Sequence, residues 1–178
     1  MTEIQQKLSV KKIILINEDI STKTFHYVRG FMDGLSLLDE PPELTIQITC
    51  DGGEANPGFW IHDLIRLYPG KTTGQVMGYA RSMAAIILQA CDHRQISLHS
   101  YLKVHNITTS RPVTVKDMRN KKKIQSIIKI VSALDQKKID LLSSKTGLGQ
   151  KFIIKLLEED RDMDATEAKK LNFIDEII

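Results

Sequence analysis

The chain has few cysteines, no long apolar run and no excess of one charge. Only 2 of its 178 residues are cysteine, and Cys50 and Cys91 lie in apolar stretches without metal-ligand spacing. Both are therefore predicted to be buried free thiols, and neither a metal nor another cofactor is expected. The 25 basic and 22 acidic residues leave a net charge of +3. This balance argues against nucleic acid or a membrane as the main partner.

No apolar stretch is long enough to span a bilayer or to act as a secretory signal. The longest extends from Met83 to Leu88, far below the length of a transmembrane helix. The first twelve residues also lack an apolar signal segment, so a reducing, cytoplasmic location is expected. Repeats, linkers and low-complexity segments are missing too, and 42% apolar residues can form a hydrophobic core. One domain over residues 1–178 is therefore predicted.

Apolar periodicity predicts alternating strands and helices. Short apolar or alternating runs predict strands at 13–16, 44–49, 72–77, 94–98, 102–105 and 173–178. Helical spacing predicts helices at 22–38, 57–68, 82–91, 113–144 and 150–158, and one beginning at 164. Asn56 and Asp164 are predicted N-caps, and Gly147 and Asn172 are predicted helix terminators. Repeated β–α units with short connections indicate an α/β fold with a parallel sheet.

Three polar residues occur at element ends, in an order that suits nucleophilic catalysis. Ser82 follows a glycine-containing turn, His105 ends a predicted strand, and Asp160 lies in an acidic stretch before the last helix. A serine attacks an acyl carbon, a histidine takes its proton, and an aspartate holds the histidine in one tautomer. Gly53, in a double glycine after a strand, and Met83 are expected to offer backbone N–H groups to an oxyanion.

Each of these residues also has a structural interpretation. Ser82 can be an N-cap of the helix that follows it, and the double glycine can be an ordinary turn. Asp162 is an alternative to Asp160, whereas Asp164 is better explained as an N-cap. A single histidine at a strand end is more often structural. The remaining four histidines are expected on the surface: His26, His62, His93 and His99.

The same segments resemble the Clp protease proteolytic subunit family (ClpP). Residues 78–84, Gly-Tyr-Ala-Arg-Ser-Met-Ala, are similar to the family's Gly-x-Ala-x-Ser-Met-Gly. Residues 48–53 take the place of a strand that ends in Asn-Ser-Pro-Gly-Gly, and 104–106 resemble the strand end that carries the family histidine. Residues 160–168 and 173–175 resemble the family's acid, last helix and last strand. The motifs follow in unbroken order from about residue 11 to residue 178.

The resemblance implies both an architecture and an activity. It implies an α/β fold, the ClpP/crotonase-like β-α superhelix, with a long protruding handle helix at residues 113–144. Ser82, His105 and Asp160 would form the catalytic triad, and Gly53 and Met83 the oxyanion hole. The implied protein is a serine endopeptidase that hydrolyses unfolded proteins or peptides inside an oligomeric chamber. A ring-type homo-oligomer is expected, with an AAA+ unfoldase or a paralogous ClpP-like subunit as possible partners.

The sequence departs from the family pattern at several positions. Arg81 replaces a small residue beside the nucleophile, and Ala84 replaces a glycine. Residues 106–110 replace a glycine-rich segment, and the stretch before the first strand is short for axial loops that meet an unfoldase. These departures leave two alternatives open: a catalytically silent subunit that assembles with an active paralogue, and a phage-type head-maturation protease.

Two further interpretations are less well supported. An acyl-CoA hydratase on the crotonase fold would use carboxylates without a serine–histidine pair, so Ser82 and His105 argue against it. The basic run 119–123 has no aromatic neighbours and is expected to be a solvated helix face rather than a nucleic-acid site. The apolar face of the helix that follows is consistent with burial between subunits or within its own domain.

Overall fold

Two structural units make up the chain. The structure is a computed structural model that describes residues 11–109 and 112–178. Contacts divide the chain into one unit of Met1–Val104 with Arg161–Ile178 and a second unit of His105–Asp160. The expectations for residues 1–10 and for Ser110 lie outside the described residues. The one-domain organisation stays a prediction.

The elements alternate along the chain, as the periodicity predicts. Their order is β1 (Ile13–Ile16), α1 (Thr22–Ser36), β2 (Leu44–Cys50), α2 (Ala55–Arg66), β3 (Thr72–Arg81), α3 (Met83–Leu88), β4 (His93–Ile96), β5 (Tyr101–Lys103), α4 (Val115–Arg119), α5 (Lys121–Thr146), α6 (Gln150–Glu159), β6 (Asp162–Asp164), α7 (Ala165–Lys170) and β7 (Glu176–Ile177). The first unit contains the strands, and α4, α5 and α6 belong to the second.

Within the described residues, seven strands form one sheet in the first unit. The order is β1-β2-β3-β4-β7, while β5 pairs with β3 and with β6. All pairings are parallel except that of β5 with β6. One face is apolar and fully buried, with Ile14, Ile46, Val76 and Ile96 at its centre. The predicted α/β class is confirmed.

The other sheet face carries a ladder of polar side chains. Gln47 donates to Gln75 at 3.3 Å, Gln75 donates to Gln95 at 2.9 Å, and Gln95 donates to Glu176 at 2.7 Å. Parallel sheets usually have apolar side chains on both faces. Here the amides satisfy one another across four strands.

Strand β3 changes partner along its length. Thr73 to Val76 pair with β4, whereas Tyr79 to Arg81 pair with β5. The change occurs at Gly78, which has a φ of +106° and donates its N–H to Ser100 Oγ at 2.7 Å. Glycine adopts this backbone conformation without strain. The sequence predicts that β3 ends at 77. Instead, the register of β3 against β2 shifts between Val76 and Ala80, and the strand continues to Arg81, the residue before Ser82.

The predicted handle helix at 113–144 is two helices, which corrects the sequence-based prediction. Thr114 and Asp117 form a capping box at the start of α4. Asn120 then leaves the helical conformation with φ −95° and ψ 95°, and its side chain accepts the N–H of Lys123 at 3.1 Å. A second N-cap therefore starts α5. This helix ends at Gly147, as predicted, where φ is +75°.

Helix α5 differs between its two halves. Near its start Ile128 and Ile130 are 58% and 60% exposed, whereas Leu142 is fully buried. Lys138 is also buried, with 3% of its surface exposed. The amphipathic pattern therefore covers an exposed half and a buried half.

The structure confirms the predicted burial of the two cysteines and corrects the predictions for Asn56 and His62. Cys50 and Cys91 are buried, as expected, and form no disulfide among the described residues. Helix α2 begins at Ala55 after Glu54, so Asn56 is not its N-cap, and His62 is buried rather than on the surface. Among the described helices, none combines the length and hydrophobicity of a transmembrane span.

Candidate active site

Ser82 lies at a strained turn between a strand and a helix. It follows β3 directly, with φ 52° and ψ −122°, and α3 begins at the next residue. A positive φ is costly for a residue with a Cβ and persists only where the surroundings enforce it. Its N–H donates to Lys103 O at 2.8 Å, and all six residues of α3 are buried. The turn is thus anchored on both sides.

The side chain of Ser82 does not cap the helix it precedes. No hydrogen bond joins its hydroxyl to the first turn of α3, so the N-cap interpretation is not supported. The same strand–turn–helix arrangement, with positive φ at the serine, presents the hydroxyl for attack in nucleophile elbows.

The double glycine packs directly against this turn. At Gly52, where φ is +105°, an added Cβ would lie 2.7 Å from Ser82 Cβ and 3.0 Å from Met83 N. Such contacts are far below van der Waals distance, so only glycine fits. The close approach places the segment that precedes Gly53 beside the first N–H of α3.

Backbone hydrogen bonds orient Gly53. Ile20 N–H donates to Gly52 O at 2.7 Å, and Glu54 N–H donates to Ile20 O at 2.8 Å. Gly53 therefore lies between two residues that are hydrogen-bonded to Ile20, in a parallel bridge. In such a bridge the N–H of the residue in Gly53's position points away from the opposite strand. Cys50 also stabilises the turn, because its Sγ accepts the Gly52 N–H at 3.2 Å. The N–H of Gly53 is therefore turned away from Ile20.

Arg81 joins three segments around the serine. Its guanidinium donates to both carboxylate oxygens of Asp162, at 2.8 and 3.1 Å, and to Asp51 at 2.9 Å. It also lies over the ring of Tyr79, 4.8 Å from the centroid. The bidentate contact with Arg81 lowers the pKa of Asp162 below its usual value. The cation beside the nucleophile is therefore compensated by two carboxylates.

His105 lies in the second unit, two residues beyond the end of β5. It does not end a strand as predicted, since β5 stops at Lys103. Its Nδ1 is 2.7 Å from the carbonyl oxygen of Asn106. A carbonyl can only accept, so Nδ1 carries the hydrogen and, in the neutral ring, Nε2 keeps the free lone pair. That is the tautomer required of a base that acts through Nε2.

Two charged residues of α5 hold the backbone next to His105. Lys138 Nζ donates to the carbonyl of His105 and forms an ion pair with Asp135 at 3.1 Å. Asp135 also accepts the N–H of Ile107 at 2.8 Å. Desolvation lowers the pKa of Lys138. Neither residue is among the predicted site residues, although a lysine in the middle of an apolar helix face is a visible signal in the sequence.

Asp160 ends α6 in the left-handed conformation, with φ 46° and ψ 43°, and it is exposed. Both alternative acids have other partners. Asp162 is bound by Arg81, and Asp164 is confirmed as the N-cap of α7, where it accepts the N–H of Glu167 at 2.8 Å.

The structure therefore groups the predicted residues by unit. Ser82, Met83 and Gly53 belong to the first unit, where Gly52 packs against Ser82 and Met83, and His105 and Asp160 are the first and last residues of the second. A triad that combines the two units stays a prediction. In the described parts of the chain, no group of three or more His, Cys, Asp or Glu side chains has a metal-binding arrangement.

Comparisons with known proteins agree with this architecture. A family model described as Clp protease matches residues 1–178. The ATP-dependent Clp protease proteolytic subunit of Deinococcus radiodurans is 26% identical, over 99% of this chain and 84% of that protein. The ATP-dependent Clp protease proteolytic subunit 1 of Chlamydia abortus is 24% identical, over 98% and 90%. An Asn-to-Asp mutant of ClpP1 from Listeria monocytogenes aligns with a TM-score of 0.84 at 22% identity, over 98% of this chain and 95% of that one.

These matches show both the fold and the family of the chain. The fold is the α/β ClpP/crotonase-like fold with a long handle helix, α5. The chain belongs to the Clp protease family.

Proposed function

We propose that the protein is a serine endopeptidase in which Ser82, His105 and Asp160 form the triad. The observation that carries the proposal is the strained turn at Ser82, with its φ of 52° and no capping bond. A serine kept in a costly conformation, whose hydroxyl does not cap the helix that follows, is typical of a nucleophile. Membership of the Clp protease family supports the same chemistry.

Each residue has one role in the proposed reaction. Ser82 Oγ attacks the carbonyl carbon of a peptide bond while His105 Nε2 takes the hydroxyl proton. The N–H groups of Gly53 and Met83 stabilise the oxyanion, each by about 3 kcal/mol. His105 then gives the proton to the leaving amine as the C–N bond breaks, and water hydrolyses the acyl-enzyme. Asp160 stabilises the charged imidazole.

The contacts of Arg81 favour an active subunit over a silent one. Arg81 and the altered loop after His105 are the two departures that leave a silent paralogue open. The guanidinium of Arg81 is bound to Asp51 and Asp162, so it is not an isolated charge at Ser82. The contact with Asp51 instead ties the segment before the double glycine to β3, the strand that precedes Ser82.

The proposed assembly is a ring-type homo-oligomer that encloses its active sites. The first half of α5 supports this, because Ile128 is 58% exposed and Ile124, Ile127 and Val131 on the same face are only partly buried. A contiguous apolar face of this kind favours association. Unfolded proteins or peptides are the proposed substrates. The names of the relatives include "ATP-dependent", which makes an AAA+ unfoldase the partner to test; a paralogous subunit and a phage-type assembly substrate are the alternatives.

The proposal is tested by intact mass after treatment with a fluorophosphonate probe. Wild type, Ser82→Ala and Ser36→Ala are compared. Ser36 is the control because its hydroxyl donates to Met32 O within α1. One adduct on wild type and on Ser36→Ala, absent from Ser82→Ala, is expected.

The outcome also separates the alternatives. Absence of an adduct on assembled wild-type protein would contradict the proposal and favour the silent subunit. If labelling succeeds, digestion of an unfolded protein such as casein distinguishes a general peptidase from a protease restricted to one assembly partner.

A further inference from the structure

An ion pair on α5 joins a buried lysine to a partly buried aspartate. Lys138 lies in the middle of the apolar face of the helix, yet its side chain is only 4% exposed. Burying a charge is costly unless it is paired, and an apolar residue would serve packing at least as well. We infer that Asp135 and Lys138, here called the α5 clamp, are positioning residues that set the tautomer of His105; this rests on the proposed function.

The clamp holds the chain on both sides of Asn106. Lys138 donates to the carbonyl of His105, and Asp135 accepts the N–H of Ile107 at 2.8 Å. Asp135 and Lys138 are themselves 3.1 Å apart. The backbone of residues 105–107 is therefore bound to α5 at two points.

A peptide plane transmits this constraint to the imidazole. The N–H of Ile107 and the carbonyl of Asn106 belong to the same peptide unit and point in opposite directions, because that unit is planar and trans. When Asp135 binds the N–H, the carbonyl is turned the other way. It then accepts from His105 Nδ1 at 2.7 Å. Asp135 thus acts on the ring without touching it.

The consequence is a fixed neutral tautomer. With the hydrogen on Nδ1, the lone pair of Nε2 is available to take the proton of the nucleophile. In serine peptidases a carboxylate supplies this orientation directly. Here a peptide carbonyl, oriented by Asp135, supplies it to the neutral ring within the second unit, which leaves Asp160 to stabilise the ring once it is charged.

The first test needs no activity. The ¹⁵N spectrum of the histidine rings in the wild-type protein, with His105→Gln for assignment, reports the tautomer at a pH where the ring is neutral. We expect the Nδ1–H tautomer at His105, and conversion to a mixture in Asp135→Leu/Lys138→Met. An Nε2–H tautomer in wild type would overturn the inference, whatever the result of labelling.

The second test measures the nucleophile. Asp135→Leu/Lys138→Met removes both charges together and leaves no lone buried charge. The matched control, Lys137→Met/Asp140→Leu, changes the same charges at exposed positions of the same helix. We expect the maximal rate of fluorophosphonate labelling to fall about 10- to 100-fold in the clamp variant, as for a misplaced catalytic group. The probe concentration at half-maximal rate should stay unchanged.

The outcomes are distinguishable from failure of the proposed function. Unlabelled wild type contradicts the peptidase, while the tautomer is still measured by NMR. Equal labelling rates in the clamp variant and the control overturn the inference. Asp135→Asn/Lys138→Met keeps an acceptor for the Ile107 N–H, leaves no lone buried charge and should restore most of the rate. A rate as low as that of the clamp variant would contradict the relay.

Discussion

At the scale of single residues, the turn that carries Ser82 depends on a neighbour without a side chain. We predict that Gly52→Ala lowers the unfolding free energy by about 2 kcal/mol, because the position has a positive φ and no room for a Cβ. Fluorophosphonate labelling should also be lost, since the added methyl displaces Ser82 and Met83. Thermal unfolding and intact mass measure the two effects.

The control for this prediction is another glycine in a helix. At Gly30 an added Cβ meets nothing within 4 Å, and Gly30 lies inside α1. Gly30→Ala should therefore raise stability by about 0.5–1 kcal/mol. Equal effects of the two substitutions would show that Gly52 is not packed against the nucleophile turn.

The Arg81–Asp162 contact predicts a pH dependence of stability. Its hydrogen bonds hold the pKa of Asp162 below the ordinary 3.8. A group with a depressed folded-state pKa stabilises the fold above its unfolded pKa, and the contribution is lost as the pH falls through the folded value. The stability difference between wild type and Asp162→Asn should thus be constant above about pH 5 and shrink below pH 4.

Denaturant unfolding across pH 2–7 measures this difference, with Asp33→Asn as the control for loss of an exposed carboxylate that pairs with Arg29. The size will be small, because Asp162 is 39% exposed and solvent screens the pair. A difference that grows toward acid would contradict the assignment of the shift to Arg81.

At the scale of elements, local patterns predicted the sheet better than the helix ends. The alternation in 44–49 predicted β2 because its buried and half-buried residues do alternate. Gly147 predicted the end of α5 because it needs a positive φ there. Both signals are local, so neither requires knowledge of the tertiary fold.

Other features depend on contacts that are distant in sequence. The extension of β3 beyond 77 requires β5 as a new partner, which no local pattern shows. The break at Asn120 arises from competing caps inside a continuous helical pattern. For the site, the motif order located Ser82 and the double glycine, but the partners of Arg81 and the α5 clamp depend on tertiary contacts.

The ion pair that attaches the last segment to β4 gives an element-scale prediction. Arg94 donates to both oxygens of Asp175, at 3.0 and 2.6 Å, and to Gln89 at 2.6 Å. Arg94→Met removes the side-chain donors of Asp175 and Gln89, although Asp175 keeps the backbone N–H of residue 94, and should lower the unfolding free energy by about 3 kcal/mol. Arg161→Met, which removes an exposed bidentate pair with Glu167, should cost at most about 1 kcal/mol.

Thermal or denaturant unfolding of the two variants under the same conditions compares the buried and exposed pairs. Similar losses in both would show that the Arg94 network does not hold β7 to the sheet.

At the scale of the whole molecule, the exposed half of α5 predicts how assembly can be disrupted. Ile128 is 58% exposed, so a charge there is tolerated in the isolated chain but is costly inside an apolar interface. Ile128→Lys should reduce the mass measured by light scattering, without changing the far-ultraviolet circular dichroism. Ser126→Lys adds the same charge at an exposed position on the opposite side of the helix and should leave the mass unchanged.

An unchanged mass in both variants would place the interface elsewhere. A loss of helical signal in Ile128→Lys would show that the residue supports the fold of the second unit rather than association.

The backbone conformation of Ser82 favours activity at a cost in stability. Glycine adopts a φ of 52° and a ψ of −122° more easily than serine, so Ser82→Gly should raise the melting temperature while it abolishes labelling. Calorimetry of Ser82→Gly beside Ser82→Ala, which keeps the strained Cβ, separates relief of backbone strain from loss of the hydroxyl. Directed evolution for heat resistance alone would therefore replace the nucleophile, and the more stable variants would be inactive.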